Sequence, residues 1–182
     1  MILDEGRRLT RLVDHVLDFA RMEEGRKQYA RETIDTGSWL AAVTAEFERS
    51  SSARGKRVDL SIAGTLPKIA GDAEALAGAV HNLLDNAAKY SPGCETIGVA
   101  AAADAGGIRI EVSDGGVGIP ADEQPRVFDR FFRGRELAST VKGTGLGLSL
   151  VKHVVDAHGG TIALESAPGQ GTRVTVTLPR RP

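Results

Sequence analysis

The sequence predicts an α+β fold: a two-layer sandwich with one mixed sheet of about five strands, three helices on one face, and a bundle helix in front. Three observations carry this. Residues Asp72 to Tyr90 hold a long apolar stripe at helical spacing, with Leu76, Val80, Leu83, Leu84 and Ala87 on one side. Residues 96 to 113 and 161 to 178 instead alternate apolar and polar, in two pairs each joined by a short glycine-bearing turn. Helical and strand segments are interleaved along the chain, and a sheet whose apolar face must be covered takes helices as its second layer.

The elements follow in order. Residues 1 to 25 read as a helix, because Leu9, Leu12, Val13, Val16, Leu17, Phe19 and Ala20 recur at three-four spacing and Gly25 is a plausible stop. So wide a stripe on one helix calls for partner helices. Thr33, Ile34 and Thr36 suggest a short strand. A helix then runs from Gly37-Ser38 to about residue 53, with Leu40, Val43 and Phe47 inward and Trp39 read as core. Gly55 and Lys56 break it. Val58, Leu60 and Ile62 make a half-buried strand, and Gly64 to Gly71, with Pro67, read as a connection. Asp72 is a good N-cap for the next helix, with Glu74 in its first turn. Ser91-Pro92-Gly93 ends that helix. Thr96 to Ala103 and Gly107 to Ser113 form a hairpin about Ala105-Gly106-Gly107. Residues 120 to 143 show a helical patch near Val127 to Phe132 and are otherwise irregular, as in a lid. Leu146 to Ala157 is a helix closed by Gly159-Gly160, and two strands joined by A-P-G-Q-G complete the C-terminal edge.

Composition narrows the class. The chain has 182 residues, 41% apolar and 26% charged, with net charge −1. That supports a real core and implies no general attraction to nucleic acid or anionic lipid. One cysteine, Cys94, cannot form an internal disulfide and suits a reducing compartment. No apolar run reaches the roughly 18 residues of a membrane span, and no signal peptide is visible. The expected location is cytoplasmic, with any membrane anchor upstream.

Chemistry concentrates in three segments. Asn82 and Asn86 stack one turn apart on the long helix, where asparagine is a poor helix former unless its amide is used. Asp114-Gly-Gly-Val-Gly-Ile119 follows an apolar strand directly. Gly143-Thr-Gly-Leu-Gly-Leu-Ser149 opens a helix, whose free N–H groups and dipole suit an anion. The last is neither a Walker loop, since no lysine follows its final glycine, nor a dinucleotide fingerprint, since no strand leads into it.

N-L-L-D-N-A-A-K-Y-S resembles the N box of two-component sensor histidine kinases, whose ATP-binding domain is similar to those of type II topoisomerases and MutL proteins. D-G-G-V-G-I resembles the first glycine box, V-F-D-R-F-F-R-G the phenylalanine box and G-T-G-L-G-L-S the second glycine box, so the likeness spans nearly the whole chain. It implies ATP and Mg2+ as cofactors, with Asn86 as the metal ligand. It implies a nucleotide site of Asn82, Asn86, Lys89, Tyr90, Asp114, Gly116, Gly118, Ile119, Gly143, Thr144, Gly145, Leu146, Gly147 and Leu148. Asp114 would accept the adenine amino group, and Gly115 stands where the family often has a polar residue. Arg133 would reach the γ-phosphate and, with Asn82, counts as catalytic, while Phe131 and Phe132 would anchor the lid by burial. Relatives that hydrolyse ATP place a glutamate where Asn82 stands, and an amide cannot take a proton. Transfer is therefore expected over hydrolysis.

The resemblance also divides the chain into 1–25, a portion of the second helix of a dimerisation hairpin, and 26–182, the catalytic domain. It implies a homodimer through the first segment, a response regulator as partner, and a phosphoacceptor helix that this chain lacks. His15 is followed by neither the acid nor the proline of a phosphoacceptor, so autophosphorylation of the chain alone is not expected. His81, His153 and His158 read as structural or surface residues. An anti-sigma-type serine kinase and a non-catalytic ATP-binding module are the alternatives.

Overall fold

The computed structural model describes residues 28–53, 55–134 and 143–180. The helix expected over 1 to 25, with His15 and Gly25, and residues 135 to 142 of the lid lie outside them. The order is β1 (Glu32–Ile34), α1 (Thr36–Arg49), β2 (Arg57–Ala63), β3 (Ile69–Gly71), α2 (Ala73–Tyr90), β4 (Thr96–Asp104), β5 (Gly107–Asp114), α3 (Gly147–Ala157), β6 (Thr161–Ser166) and β7 (Thr172–Pro179). Five strands form one mixed sheet in the order β2-β4-β5-β7-β6. Among the described strands, β2 and β4 alone run parallel, with α2 between them in the chain; β4–β5 and β6–β7 are antiparallel hairpins.

Period-two patterning sets the register. Ile97, Val99 and Ala101 of β4, Ile108, Ile110 and Val112 of β5, and Val174, Val176 and Leu178 of β7 all face the helices and are buried. Each large aliphatic side chain so buried contributes roughly 1.5–3 kcal/mol. The other face carries Arg173, which pairs with Glu111 at 2.8 Å and Glu165 at 3.5 Å. The helices supply the second layer through Leu40, Val43 and Phe47 of α1, Leu76, Val80, Leu83 and Leu84 of α2, and Val151, Val154 and Val155 of α3. Trp39 is half-buried at the seam between α1 and α2, and its indole N–H donates to Ala73 O at 3.2 Å.

Three local expectations are corrected. The stretch Gly64 to Gly71 ends in a strand: β3 pairs antiparallel with β1 as a separate two-stranded ladder. Helix α1 stops at Arg49, where the Ser50 amide and hydroxyl both turn back to Phe47 O, and Ser51–Ala53 is a separate 3-10 turn. The patch Val127 to Phe132 is not an α-helix. Pro125 sits in a 3-10 turn, Gln124–Arg126, and Phe131 has φ +59°, which no right-handed helix admits.

Candidate nucleotide site

Helix α2 buries Leu76, Ala79, Val80, Leu83, Leu84, Ala87 and Ala88, which leaves Asn82 and Asn86 half-exposed on another side. The Asn82 amide donates from Nδ2 to Gly78 O at 3.0 Å, one turn back. That turns its oxygen outward, toward α3. A Cβ on Gly147 would lie 3.3 Å from Asn82 Oδ1 and 3.9 Å from Asn86 Oδ1. The first residue of α3 therefore meets both amides. Lys89 does not line the cavity described next; it is ion-paired with Asp85 one turn earlier.

Beside this junction opens a cavity of about 910 Å3, counting its mouth. Asn86, Tyr90, Asp114, Gly118, Ile119, Arg133 and Leu148 line it, together with Leu83, Val112 and Val174 from the core. Its mostly apolar wall suits a planar organic group held by a few polar atoms. Asn82, Gly116, Gly145, Leu146 and Gly147 stand outside that lining, as do the exposed Gly143 and Thr144.

Asp114 ends β5 at the cavity wall. Burial raises its carboxyl above the ordinary aspartate range, against the lowering effects of the Gly116 and Thr172 amides and of Lys56. One oxygen, Oδ1, accepts the Gly116 N–H at 2.8 Å. Burial likewise raises the Tyr90 phenol, which the Arg133 charge opposes and the Asp85 charge reinforces.

The loop after Asp114 is braced on two sides. On one, Val117 N–H donates to Tyr90 O at 3.1 Å, at the end of α2. On the other, Gly169 N–H donates to Val117 O at 2.8 Å, and Ile119 N–H to Ser166 Oγ at 2.8 Å. Gly118 has φ +70°, and a Cβ there would stand 1.9 Å from Ala167 O, so only glycine fits.

The second glycine cluster approaches the phenylalanine segment. Gly145 has φ +73°, and its absent Cβ would lie 2.6 Å from the Phe131 carbonyl carbon. Leu146 is buried as the anchor at the start of α3, and its N–H donates to Thr144 Oγ1 at 3.3 Å. Burial of both phenylalanines is corrected: Phe131 is 65% exposed, whereas Phe132 lines the cavity with the Arg126 guanidinium 4.8 Å from its ring centroid. Arg133 is in the cavity wall, and Arg130 is exposed.

Residues that sequence reasoning passed over complete the surroundings. Glu123, Thr172 and Gly134 line the cavity, and Gln124 and Ser166 hold its loop. Lys56, read only as a helix breaker, is buried and donates from Nζ to Ser91 O at 2.6 Å and to Cys94 O, off the end of α2. His158 is buried and structural: its Nε2 accepts the Asp72 N–H at 3.0 Å while Nδ1 meets Val154 O at 2.7 Å. Among the described residues, no three His, Cys, Asp or Glu side chains cluster to hold a metal, and no helix is long and apolar enough to cross a membrane.

Comparison with known proteins adds a family pattern and named relatives. The profile described as histidine kinase-, DNA gyrase B-, and HSP90-like ATPase matches residues 71–182. The sensor-like histidine kinase SenX3 of Mycolicibacterium smegmatis is 33% identical, over 98% of this chain and 46% of that protein. The signal transduction histidine-protein kinase/phosphatase MprB of Mycolicibacterium vanbaalenii is 40% identical, over 96% of this chain and 36% of that protein. The chain thus spans less than half the length of these relatives. A solved structure of the mycobacterial sensor histidine kinase MprB superposes with a TM-score of 0.68 at 34% identity, covering 84% of this chain and 99% of that one. Full-length ShkA in complex with AMPPNP superposes at 0.80, with 28% identity over 97% of this chain and 36% of that one.

Proposed function

We propose, since this chain belongs to the histidine kinase-, DNA gyrase B- and HSP90-like ATPase family, that it is the MgATP-binding catalytic portion of a sensor histidine kinase. In this reading the γ-phosphate passes to a histidine on a dimerisation hairpin, then to an aspartate of a response regulator. The protein works at the cytoplasmic side, as a homodimer through its N-terminal segment. The observation that carries the reading is the meeting of the two α2 amides with Gly147 beside a cavity lined by both Asn86 and Asp114.

Asp114 would accept the adenine amino group with the oxygen not already engaged by Gly116, which favours ATP over GTP, since guanine shows a carbonyl there. Gly116, Gly118 and Ile119 supply close backbone around the base, and Tyr90 and Leu148 close the sides. The α3 N-terminus, with Gly143, Thr144, Gly145, Leu146 and Gly147, offers N–H groups to the phosphates. Arg133, and Lys89 once released from Asp85, add positive charge.

The residues present fit magnesium: the Asn86 amide oxygen in the cavity wall would hold the ion together with the nucleotide's own phosphate oxygens. Bound there, magnesium would neutralise phosphate charge. Asn82 provides an amide where a water-activating base would need a proton acceptor, so transfer is favoured over hydrolysis.

Calorimetry of the chain with MgATP tests binding and should show saturable heat, lost in Asn86→Ala. Absence of heat would overturn the reading. Phosphohistidine on an added phosphoacceptor hairpin, with none on this chain alone, separates a kinase from a purely regulatory nucleotide-binding module.

A further inference from the structure

The loop that follows Asp114 is also held by a glutamine side chain outside the glycine boxes. Gln124 starts the 3-10 turn after that loop and is half-buried. Its Nε2 donates to Ile119 O at 2.9 Å and to Ser166 O at 2.8 Å. Both partners are carbonyl oxygens, so only the NH2 end of the amide satisfies them. Ser166 answers from the other side: its Oγ accepts the Ile119 N–H at 2.8 Å and contacts Gly171 O and Thr172 Oγ1 at 2.8 and 2.9 Å. Both polar groups of the Ile119 backbone are therefore held by side chains. Ile119 lines the cavity and Thr172 faces it, so the clasp reaches the wall that a base would touch.

We infer that Gln124 is a positioning residue for the nucleotide, locking the Gly116–Pro120 loop to the end of β6 so that the cavity is shaped before ligand arrives. The inference rests on the nucleotide-binding reading above and assigns a residue within it. Leucine at 124 fills a similar volume and donates nothing. Glutamate presents oxygen to two carbonyls. Lysine restores a donor to both.

The test uses the full 182-residue chain. Affinities for ADP and for the β,γ-imido analogue of ATP, both with magnesium, are measured by calorimetry, with thermal unfolding alongside. Gln124→Leu should weaken both ligands equally, by about tenfold, as expected for two lost hydrogen bonds that orient a base site. Gln124→Glu should weaken them further, and Gln124→Lys should stay within about threefold of the parent. A purely structural glutamine would lower the unfolding temperature and leave the affinity of the folded protein alone. Binding by Gln124→Leu within twofold of the parent overturns the assignment, as does a loss confined to the triphosphate. Should Gln124→Leu fail to fold, Gln124→Met, which keeps the unbranched side chain and donates nothing to either carbonyl, must cost about tenfold. A parent chain that binds neither ligand sinks the functional reading itself and this one with it.

Discussion

Gly118 and Gly169 make a matched pair for testing how the loop after Asp114 is held. Both have left-handed backbone, at φ +70° and +73°. A Cβ on Gly169 meets nothing within 4 Å, whereas one on Gly118 falls 1.9 Å from Ala167 O and 2.6 Å from its carbon. Gly169→Ala therefore carries only the left-handed penalty of about 1–2 kcal/mol, less about 0.4–1 kcal/mol from a stiffer unfolded chain. Gly118→Ala carries that and must also push the facing backbones apart by more than about 1 Å to reach even a close C–H···O separation. The displacement pulls on the Gly169-to-Val117 and Ile119-to-Ser166 hydrogen bonds, each 2.8 Å long. Losing both adds about 2 kcal/mol.

The expected totals are about 1 kcal/mol for Gly169→Ala and about 3 kcal/mol for Gly118→Ala. For a domain of this size the gap amounts to roughly 4–8 °C in unfolding temperature. Differential scanning calorimetry at fixed pH reads it directly. Gly118→Ala should also lose nucleotide affinity, because Gly118 lines the cavity. Equal unfolding temperatures for the two variants would refute the claim that close approach, rather than backbone handedness, fixes this loop.

Three further outcomes follow from the electrostatics. Asp114 has its pKa raised by burial, so the fold favours the protonated form. Its contribution to stability is present below the ordinary aspartate range and is lost as pH rises through the folded value. Asp114→Asn should therefore unfold a few degrees higher than the parent near neutrality and converge with it in acid, while adenine nucleotide affinity falls at least about tenfold. Asp72 behaves oppositely: burial would raise it, but the Ala75 and Ala30 amides and His158 lower it overall. Its contribution is present above the ordinary range and is lost as pH falls through the depressed value, so Asp72→Ala should cost about 0.5–2 kcal/mol near neutrality and less in acid, by urea titration at two pH values. Lys56→Met removes the donor to Ser91 O and Cys94 O and should cost about 1–3 kcal/mol, read as lost amide protection in the last turn of α2.

What the sequence disclosed tracks the range of each interaction. Helix α2 was legible from Asp72 to Tyr90, because one cap and one apolar stripe define it locally. The β4–β5 hairpin was legible because strict alternation flanks Ala105-Gly106. Strand β3 was not, being only three residues long and existing through its pairing with β1. The patch at Val127 to Phe132 carried helical spacing of apolar residues and misled, since Pro125 and the left-handed Phe131 decide that backbone. The boxes of the site are contiguous and therefore readable. Its braces are not: Gln124 and Ser166 meet across 42 positions, and Lys56 and Ser91 across 35. No local pattern marks a glutamine or lysine whose partner is a distant carbonyl.

Those braces explain how a helix interrupted by two poor helix formers stays in place. Helix α2 is secured at both ends by residues from other elements. At its start, His158, at the C-terminus of α3, accepts the Asp72 N–H through Nε2, and the Nδ1 contact with Val154 O makes Nδ1 the protonated nitrogen. At its finish, the Lys56 ammonium meets the carbonyls beyond Tyr90, where the helix dipole is negative. Helix α3 is thus fixed to α2 at both of its own ends, through His158 at the α2 cap and through Gly147 beside Asn82 and Asn86, so the spacing between amides and glycine turn is built into the protein. His158→Phe keeps a ring there and removes the acceptor, leaving the Asp72 amide unpaired at a cost of about 1–3 kcal/mol. Hydrogen exchange should then show lost protection confined to the Asp72–Leu76 amides, with the Lys56 end unchanged. Uniform loss along α2 would mean that its two ends are not held independently.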